Sequence, residues 1–434
     1  LDAATRFVPE KVIPKVDGAF DQQIAIIGGG PAGLSCAYYL AEKGYRPTVF
    51  EKERRLGGML ENGLPSFRLE KDVVQAEIDV LREMGVQFRC GVEVGKDVTI
   101  AQLREQGYQG FYVAVGLQSG GRLNIPGDDA QGVTAGIDFM RRVNGGQETK
   151  LEGRVVVIGG GNIAADVART AVRCGAESVD LYCLESYDDM PMGPEDRGEC
   201  ERDGITIHAG WGQTEIVTEN GHAAGIRFRK CLRVKNDQGR FAPEFDDNDT
   251  FQAQCAAVLY CIGQKVDWRQ LLTGTAVTFN PNGTAQVDPV TYQTAEPGIF
   301  AGGDAVTGQK FAIDAIAAGK EGAISLHRFV QKATLTIGRN RRQFVELDKE
   351  NALIPVGFDN TPASRSVITR PCAGPSGTSA SPSPPSRCRR RRPAASAAAP
   401  PWWTPTSASA AACAPPSAPL TPSTCTGSGR SAPT

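Results

Sequence analysis

Histidine is nearly missing from this chain: His208, His222 and His327 are the only three in 434 residues, and they stand far apart. That leaves no imidazole cluster, and no chemistry is assigned to them. Cysteine is present but unpaired. Cys36, Cys90, Cys174, Cys183, Cys200, Cys231, Cys255 and Cys261 are scattered singly, without the CxxC or CxxxxC of a redox dithiol and without metal-ligand spacing. Reduced thiols in a cytoplasmic protein are the expectation. No apolar run approaches the roughly 20 residues that span a bilayer, and no signal peptide opens the chain, so no membrane partner is expected. A net charge of -2 gives no footing for nucleic acid. The 41% hydrophobic content fits a globular protein long enough for two or three domains. Leu1 in place of Met suggests a fragment or a processed product.

The last stretch lacks far more. From Ala363 to Thr434 there is no Asp, Glu, Lys, Phe, Tyr, Asn, Gln or His, yet Trp402 and Trp403 stand side by side. Such a tail cannot bury a core, and disorder is expected. A GC-rich gene read out of frame from near Pro362 explains the composition better. Shifting each codon by one base forces Val-Asp at Trp402-Trp403-Thr404 and lets Pro393 to Cys425 read through "CIGCGLCTTKC", the C-x2-C-x2-C-x3-C run of a [4Fe-4S] site. As written, Cys372, Cys388, Cys413 and Cys425 are too widely spaced for a cluster, and no metal is assigned.

What is present is a pattern that occurs twice. In "QIAIIGGGPAGLSCAYYLAEKGYRPTVFEK" an apolar strand, Ile24 to Ile27, runs into Gly28, Gly30 and Gly33, with Pro31 and Ala32 opening a helix; a second strand ends at Glu51 and Lys52. Gly28 permits the tight turn, Gly30 lets a pyrophosphate approach, and Gly33 lets helix and strand pack closely. The helix N-terminus faces the phosphates, and Glu51 is placed to accept from a ribose. The pattern recurs in "GRVVVIGGGNIAADVARTAVRCGAESVDLYCLES", with Gly159, Gly160, Gly161, Asn162, Ile163 and the small Ala164, ending near Glu185. Two dinucleotide sites in one chain point to hydride exchange between a nicotinamide and a flavin.

A third stretch, "PGIFAGGDAVTGQKFAIDAIAAGKEGAISLHRFV", places Gly302, Gly303 and Asp304 between a strand and a helix. It resembles the closing FAD motif of the two-dinucleotide-domain flavoproteins, whose aspartate binds the ribityl chain. The fold class this implies is α/β, with two Rossmann-like domains in a glutathione-reductase-like arrangement. Residues 1–148 and 287–345 would form a discontinuous FAD domain, 149–286 an inserted NAD(P) domain, and 346–434 the tail. "EKERRLGGMLENGLPSFRLEKDVVQAEIDVLREMGVQFRCGVEV" resembles the small subunit of glutamate synthase and the flavin half of dihydropyrimidine dehydrogenase. That likeness implies FAD contacts at Gly58, Met59, Arg68, Val94 and Gly116, with Gly263 and Ala312 as further cofactor residues.

The same likeness implies an FAD-dependent NAD(P)H oxidoreductase subunit that passes electrons to iron-sulfur clusters, a partner subunit or a ferredoxin-like protein. A [4Fe-4S] group of its own requires a restored C-terminal frame or an upstream domain. Where NADPH-using members carry arginines, "YCLESYDD" offers Leu184 and Glu185, which favours NADH; the alternative is NADPH, its phosphate held by Arg169 or Arg173. No residue is assigned as catalytic. Two other readings stay open: a self-contained flavin reductase of a small molecule, and a non-catalytic flavin-bearing assembly subunit.

Overall fold

The computed structural model describes residues 13, 14, 16, 18–147 and 149–339. The tail, with its expected disorder and frame change, lies outside them. A short run that is apolar on both faces suits a strand covered on both sides. β1 (Gln23–Ile27) is such a strand, with Ile24, Ala25 and Ile26 wholly buried. Pro31 then sits at the first helical position of α1 (Pro31–Glu42), where its missing N–H costs nothing. β2 (Thr48–Glu51), α2 (Met59–Asn62), α3 (Lys71–Glu83), β3 (Gln87–Cys90), α4 (Ile100–Glu105) and β4 (Tyr108–Val113) follow. In α3 the buried residues are Val74, Ile78 and Leu81, one stripe at helical spacing.

The chain leaves through β5 (Ser119–Gly120) and builds β6 (Val133–Ala135), α5 (Gly136–Asn144), β7 (Arg154–Ile158), α6 (Asn162–Arg173), β8 (Ser178–Cys183), α7 (Pro194–Arg202) and β9 (Thr206–Ala209). It continues with β10 (Trp211–Glu219), β11 (His222–Lys235), β12 (Phe241–Gln254) and β13 (Ala257–Tyr260), and returns through β14 (Gln264–Lys265) to β15 (Ile299–Ala301), α8 (Asp304–Thr307) and α9 (Ala312–Val330).

Two parallel sheets result, β15-β4-β1-β2-β3 and β6-β13-β7-β8-β9, with β10-β11-β12 as an antiparallel meander. Both are doubly wound α/β sheets. α9 closes on α1 through small residues: a Cβ on Gly319 would overlap the Ala32 carbonyl, and Ser35 Oγ donates to Ile316 O at 2.7 Å. Among the described residues, the outgoing and returning crossings pair as strands only in the ribbon of Gly120 with Gln264 and Ser119 with Lys265.

The crossings shift the expected domain bounds. β6 and α5, expected in the first domain, join the second: Val133 pairs with Val258, and Phe139 and Met140 pack in one core with Val155 and Val157. Leu271 and Ala285, expected in the inserted domain, pack with Phe50 and Val113 of the first. The reason is that the chain changes fold at the β5–β14 ribbon, which no composition change marks. Among the described residues no helix is long and apolar enough to cross a membrane.

Candidate functional site

At the end of β1 the backbone must reverse within a few atoms of β4. Gly28 does so at φ +108°, and a Cβ there would overlap the Ala114 carbonyl. Gly159 repeats the turn at φ +140°, against the Cys261 carbonyl. The helices that follow, α1 and α6, have Gly30 and Gly161 as their N-cap residues, and neither receives a side-chain cap. Their first turns therefore keep N–H groups with no side-chain partner, which favours an anion there. A Cβ on Gly161 would meet nothing within 4 Å, and the nearest atom to one on Gly30 is Gly58 Cα at 3.7 Å.

Each loop faces a carboxylate from the end of the second strand. Glu51 is buried; its Oε2 accepts from Gly29 N at 2.6 Å and its Oε1 from Glu53 N at 2.9 Å. Burial pushes its carboxyl up, and these backbone N–H groups oppose the shift. Glu185 takes the matching place in the second fold, half-buried. Its Oε2 would lie 3.0 Å from a Cβ on Gly160, as Glu51 Oε2 would lie 3.2 Å from one on Gly29.

Both constellations open on one cleft of about 1410 Å³, above the roughly 300–1,000 Å³ of a single small-molecule pocket. Gly303, at φ +69°, brings Asp304 to its wall. Burial pushes the Asp304 carboxyl up to about 6, and the Lys310 backbone N–H pulls the other way. Gly28, Gly30, Pro31, Ala32, Glu51, Lys52, Gly58, Met59, Val94 and Gly116 line the cleft from the first fold. From the second come Gly159, Gly160, Gly161, Asn162, Ile163 and Glu185, and Gly303, Asp304 and Ala312 complete the wall.

Three expected residues do not line it. Gly33 lies beneath the loop, where a Cβ would overlap the Gly28 carbonyl. Gly263 sits in the returning crossing at φ +95°, beside the lining residues Ile262 and Gln264. Arg68 turns away to the second fold, where it pairs with Asp166 and Asp196. Its position between two carboxylates of another domain outweighs any pull from the cleft. Arg169 and Arg173 are likewise committed: Arg169 is 1% exposed and donates to Glu199 and Asp203, and Arg173 donates to Asp203 at 2.7 Å. Neither is free to take a 2'-phosphate.

Sequence reasoning missed other lining residues. Lys310 and Phe311 directly follow the GGD stretch, and that proximity could have found them. Trp268, Arg269 and Phe241 reach the cleft only through the tertiary fold, and no local signal marks them. Cys183 and Cys261 also line it, but burial pushes the Cys183 thiol up to about 12 and that of Cys261 well above its usual range. Neither is a thiolate nucleophile at neutral pH.

Open glycine turns, uncapped helix ends and strand-end carboxylates fit two dinucleotides by their donor sets. Known sequences agree. The profile of the pyridine nucleotide-disulphide oxidoreductases matches residues 22–319. The chain is 38% identical over 320 residues to the NADP(+)-dependent formate dehydrogenase subunit beta of Moorella thermoacetica, covering 72% of this chain and 44% of that one. It is 33% identical to the glutamate synthase [NADPH] small chain of Halomonas elongata, over 69% of this chain and 66% of that one. With the NAD-dependent dihydropyrimidine dehydrogenase subunit PreT of Escherichia coli O157:H7 it shares 31% identity over 72% of this chain and 69% of that one. The chain thus spans under half of the first of these relatives and about two-thirds of the others.

Proposed function

The chain belongs to the pyridine nucleotide-disulphide oxidoreductase family, and from that premise we propose that it is the electron-input module of a larger oxidoreductase, with FAD on the first fold and NADH on the second. The observation that carries this reading is the repetition, within one cleft, of a glycine turn, an uncapped helix and a strand-end carboxylate. Gly28, Gly30 and the start of α1 would hold the FAD pyrophosphate and Glu51 its adenosine ribose. Gly58, Met59, Val94, Gly116, Gly303, Asp304 and Ala312 would surround the rest. Gly159 to Ile163 would hold the second pyrophosphate.

When bound, the flavin would supply the chemistry, accepting a hydride from the reduced nicotinamide and releasing electrons singly. The protein's part is positioning: its helix ends compensate the phosphates, its carboxylates orient the riboses, and its cleft walls exclude water. The raised thiols of Cys183 and Cys261 argue against thiol exchange in the cleft. Glu185 supports NADH, because a carboxylate accepts from a 2'-hydroxyl and repels a 2'-phosphate. The relatives carry both NAD and NADP in their names, and the choice falls to this residue.

Those relatives are also named as subunits or as a small chain, which supports an electron-accepting partner subunit, by class an iron-sulfur carrier. Eight free cysteines among the described residues support a reducing cytoplasmic setting. Anaerobic titration of the FAD-loaded chain tests the reading. Flavin absorbance should bleach at lower NADH than NADPH. Equal or reversed potency overturns the NADH assignment, and failure of both nucleotides overturns the oxidoreductase reading in favour of an assembly role.

A further inference from the structure

The two folds are joined by little chain, and that chain is bendable. Among the described residues, outgoing and returning crossings pair through the β5–β14 ribbon alone, and each carries a glycine at positive φ in open space: Gly116 at +66° and Gly263 at +95°. Such a joint leaves the angle between the folds to side-chain contacts beyond it.

The densest of those contacts is a finger between α2 and α3. Lys71 Nζ holds its base, donating to Leu60 O at 2.8 Å and Leu64 O at 2.5 Å, and Asn144 Nδ2 of α5 donates to Asn62 O at 2.9 Å and Leu64 O at 3.0 Å. At its tip Arg68 Nε donates to Asp166 of α6, and Nη2 donates to Asp196 of α7 at 2.5 Å, with Glu199 at 3.8 Å. Beside it the Phe67 ring lies under two guanidiniums, Arg173 at 4.3 Å and Arg169 at 4.7 Å from its centroid. Those arginines are fixed in turn by Glu199 and Asp203. Asp166 is both a partner of Arg68 and a wall of the cleft.

We propose that Phe67 and Arg68 form a clasp that sets the angle between the two dinucleotide folds, making Arg68 a positioning residue rather than a ligand of either cofactor. What that angle serves rests on the function proposed above: transfer between two bound cofactors is acutely sensitive to their spacing, and a displacement of about 1 Å costs roughly 10²-fold in rate. The closure contact itself does not depend on that reading. A lone Arg68→Gln would strand the buried Asp166 carboxylate and could unfold the chain. The double variant R68Q/D166N removes both charges together, and Phe67→Ala tests the aromatic half.

Two measurements on the full chain decide the matter. Hydrogen exchange of the cofactor-free protein should rise about tenfold in both crossings, residues 115–122 and 262–266, in R68Q/D166N and in Phe67→Ala. In the FAD-loaded variants FAD affinity should stay within about twofold of the parent, while the limiting rate of flavin reduction at saturating NADH falls about 10- to 100-fold. Arg68→Lys should recover part of that rate. Weakened FAD binding with unchanged exchange makes Arg68 a flavin contact and overturns the clasp, and so does an unchanged exchange profile alone. An unchanged limiting rate overturns the positioning role. If the parent chain is reduced by neither nucleotide, the functional reading has failed, and exchange in the cofactor-free chain still decides the clasp.

Discussion

The first and second dinucleotide folds share one plan and differ in how tightly it is closed. In the first, Gly33 brings α1 against the turn at Gly28, and Glu51 is 7% exposed with two backbone N–H groups on its carboxylate. The second has Ala164 in place of Gly33, and Glu185 stands half-exposed at the cleft wall. A closed, pre-organised site suits a cofactor that stays, and a looser one suits a nucleotide that must leave after each turnover. The two near-identical motifs thus differ by one methyl group and by the burial of one acid.

The largest effect should come from erasing that difference at its tightest point. Gly33→Ala would drive a methyl into the Gly28 carbonyl, forcing α1 off the sheet and away from α9. A cost of about 3 kcal/mol is expected, with FAD lost during purification. Thermal unfolding and flavin content after gel filtration measure it; a flavin-replete variant of parental stability would show that the close approach is dispensable.

Next come the acids, which should fail in different ways. Glu51→Gln loses the charge that its two backbone donors are built to meet, and FAD should bind about 10- to 100-fold more weakly, as befits about 1.5–3 kcal/mol for a hydrogen bond to a charged group. Glu185→Gln should leave FAD in place and shift the NADPH-to-NADH preference by about tenfold toward NADPH, since it removes a repulsion. Fluorescence titration of FAD and paired nucleotide titrations separate the two. A selectivity change in the Glu51 variant, or none in the Glu185 variant, would exchange the duties assigned to the folds.

Both loops were legible because their requirements are local: a turn, a helix start and an acid fall within about thirty residues of continuous chain. The closing Gly303-Asp304 motif was legible by resemblance, and its place opposite α1 follows from β15 pairing with β4. Arg68 was not, because its partners Asp166 and Asp196 lie 98 and 128 residues away and nothing near it announces them. Gly263 shows the same limit: its positive φ was predictable from its being glycine, but whether that freedom serves a cofactor or a crossing depends on where the chain changes sheets. The boundary misplacement of β6 has that origin as well.

A smaller effect should appear in the pH dependence of the cofactor-free protein. Asp304 and Asp166 are both pushed up to about 6 by burial, but Arg68 opposes the shift at Asp166, whereas at Asp304 the opposing group is the Lys310 backbone N–H. A carboxyl whose folded pKa is raised contributes stability fully below its unfolded value near 4 and loses it as pH rises through about 6. Asp304→Asn should therefore be more stable than the parent at pH 7, by about 1 kcal/mol once partial exposure is allowed for, and equal to it below pH 4. Thermal melts of the flavin-free pair between pH 3.5 and 7.5 provide the check. A parallel offset across that range would mean the difference is not carried by ionisation.

The smallest expected change tests whether the looseness of the second fold is itself functional. Ala164→Gly restores there the glycine of the first fold, removing a buried methyl from the third residue of α6. If Ala164 merely fills space that the sheet leaves, the change costs about 1 kcal/mol, chiefly the lost burial of the methyl, because the helix propensity that glycine forfeits counts for less near an N-terminus where the helix is only partly bonded. NADH affinity should then move by less than about twofold, with the midpoint of unfolding a few degrees lower. If the methyl is a spacer, α6 will settle closer to Gly159, and the nucleotide should bind tighter and leave more slowly. Stopped-flow dissociation of the nucleotide distinguishes the cases, because packing loss alone lowers stability without slowing release, whereas a tightened site slows release in proportion to the affinity gained.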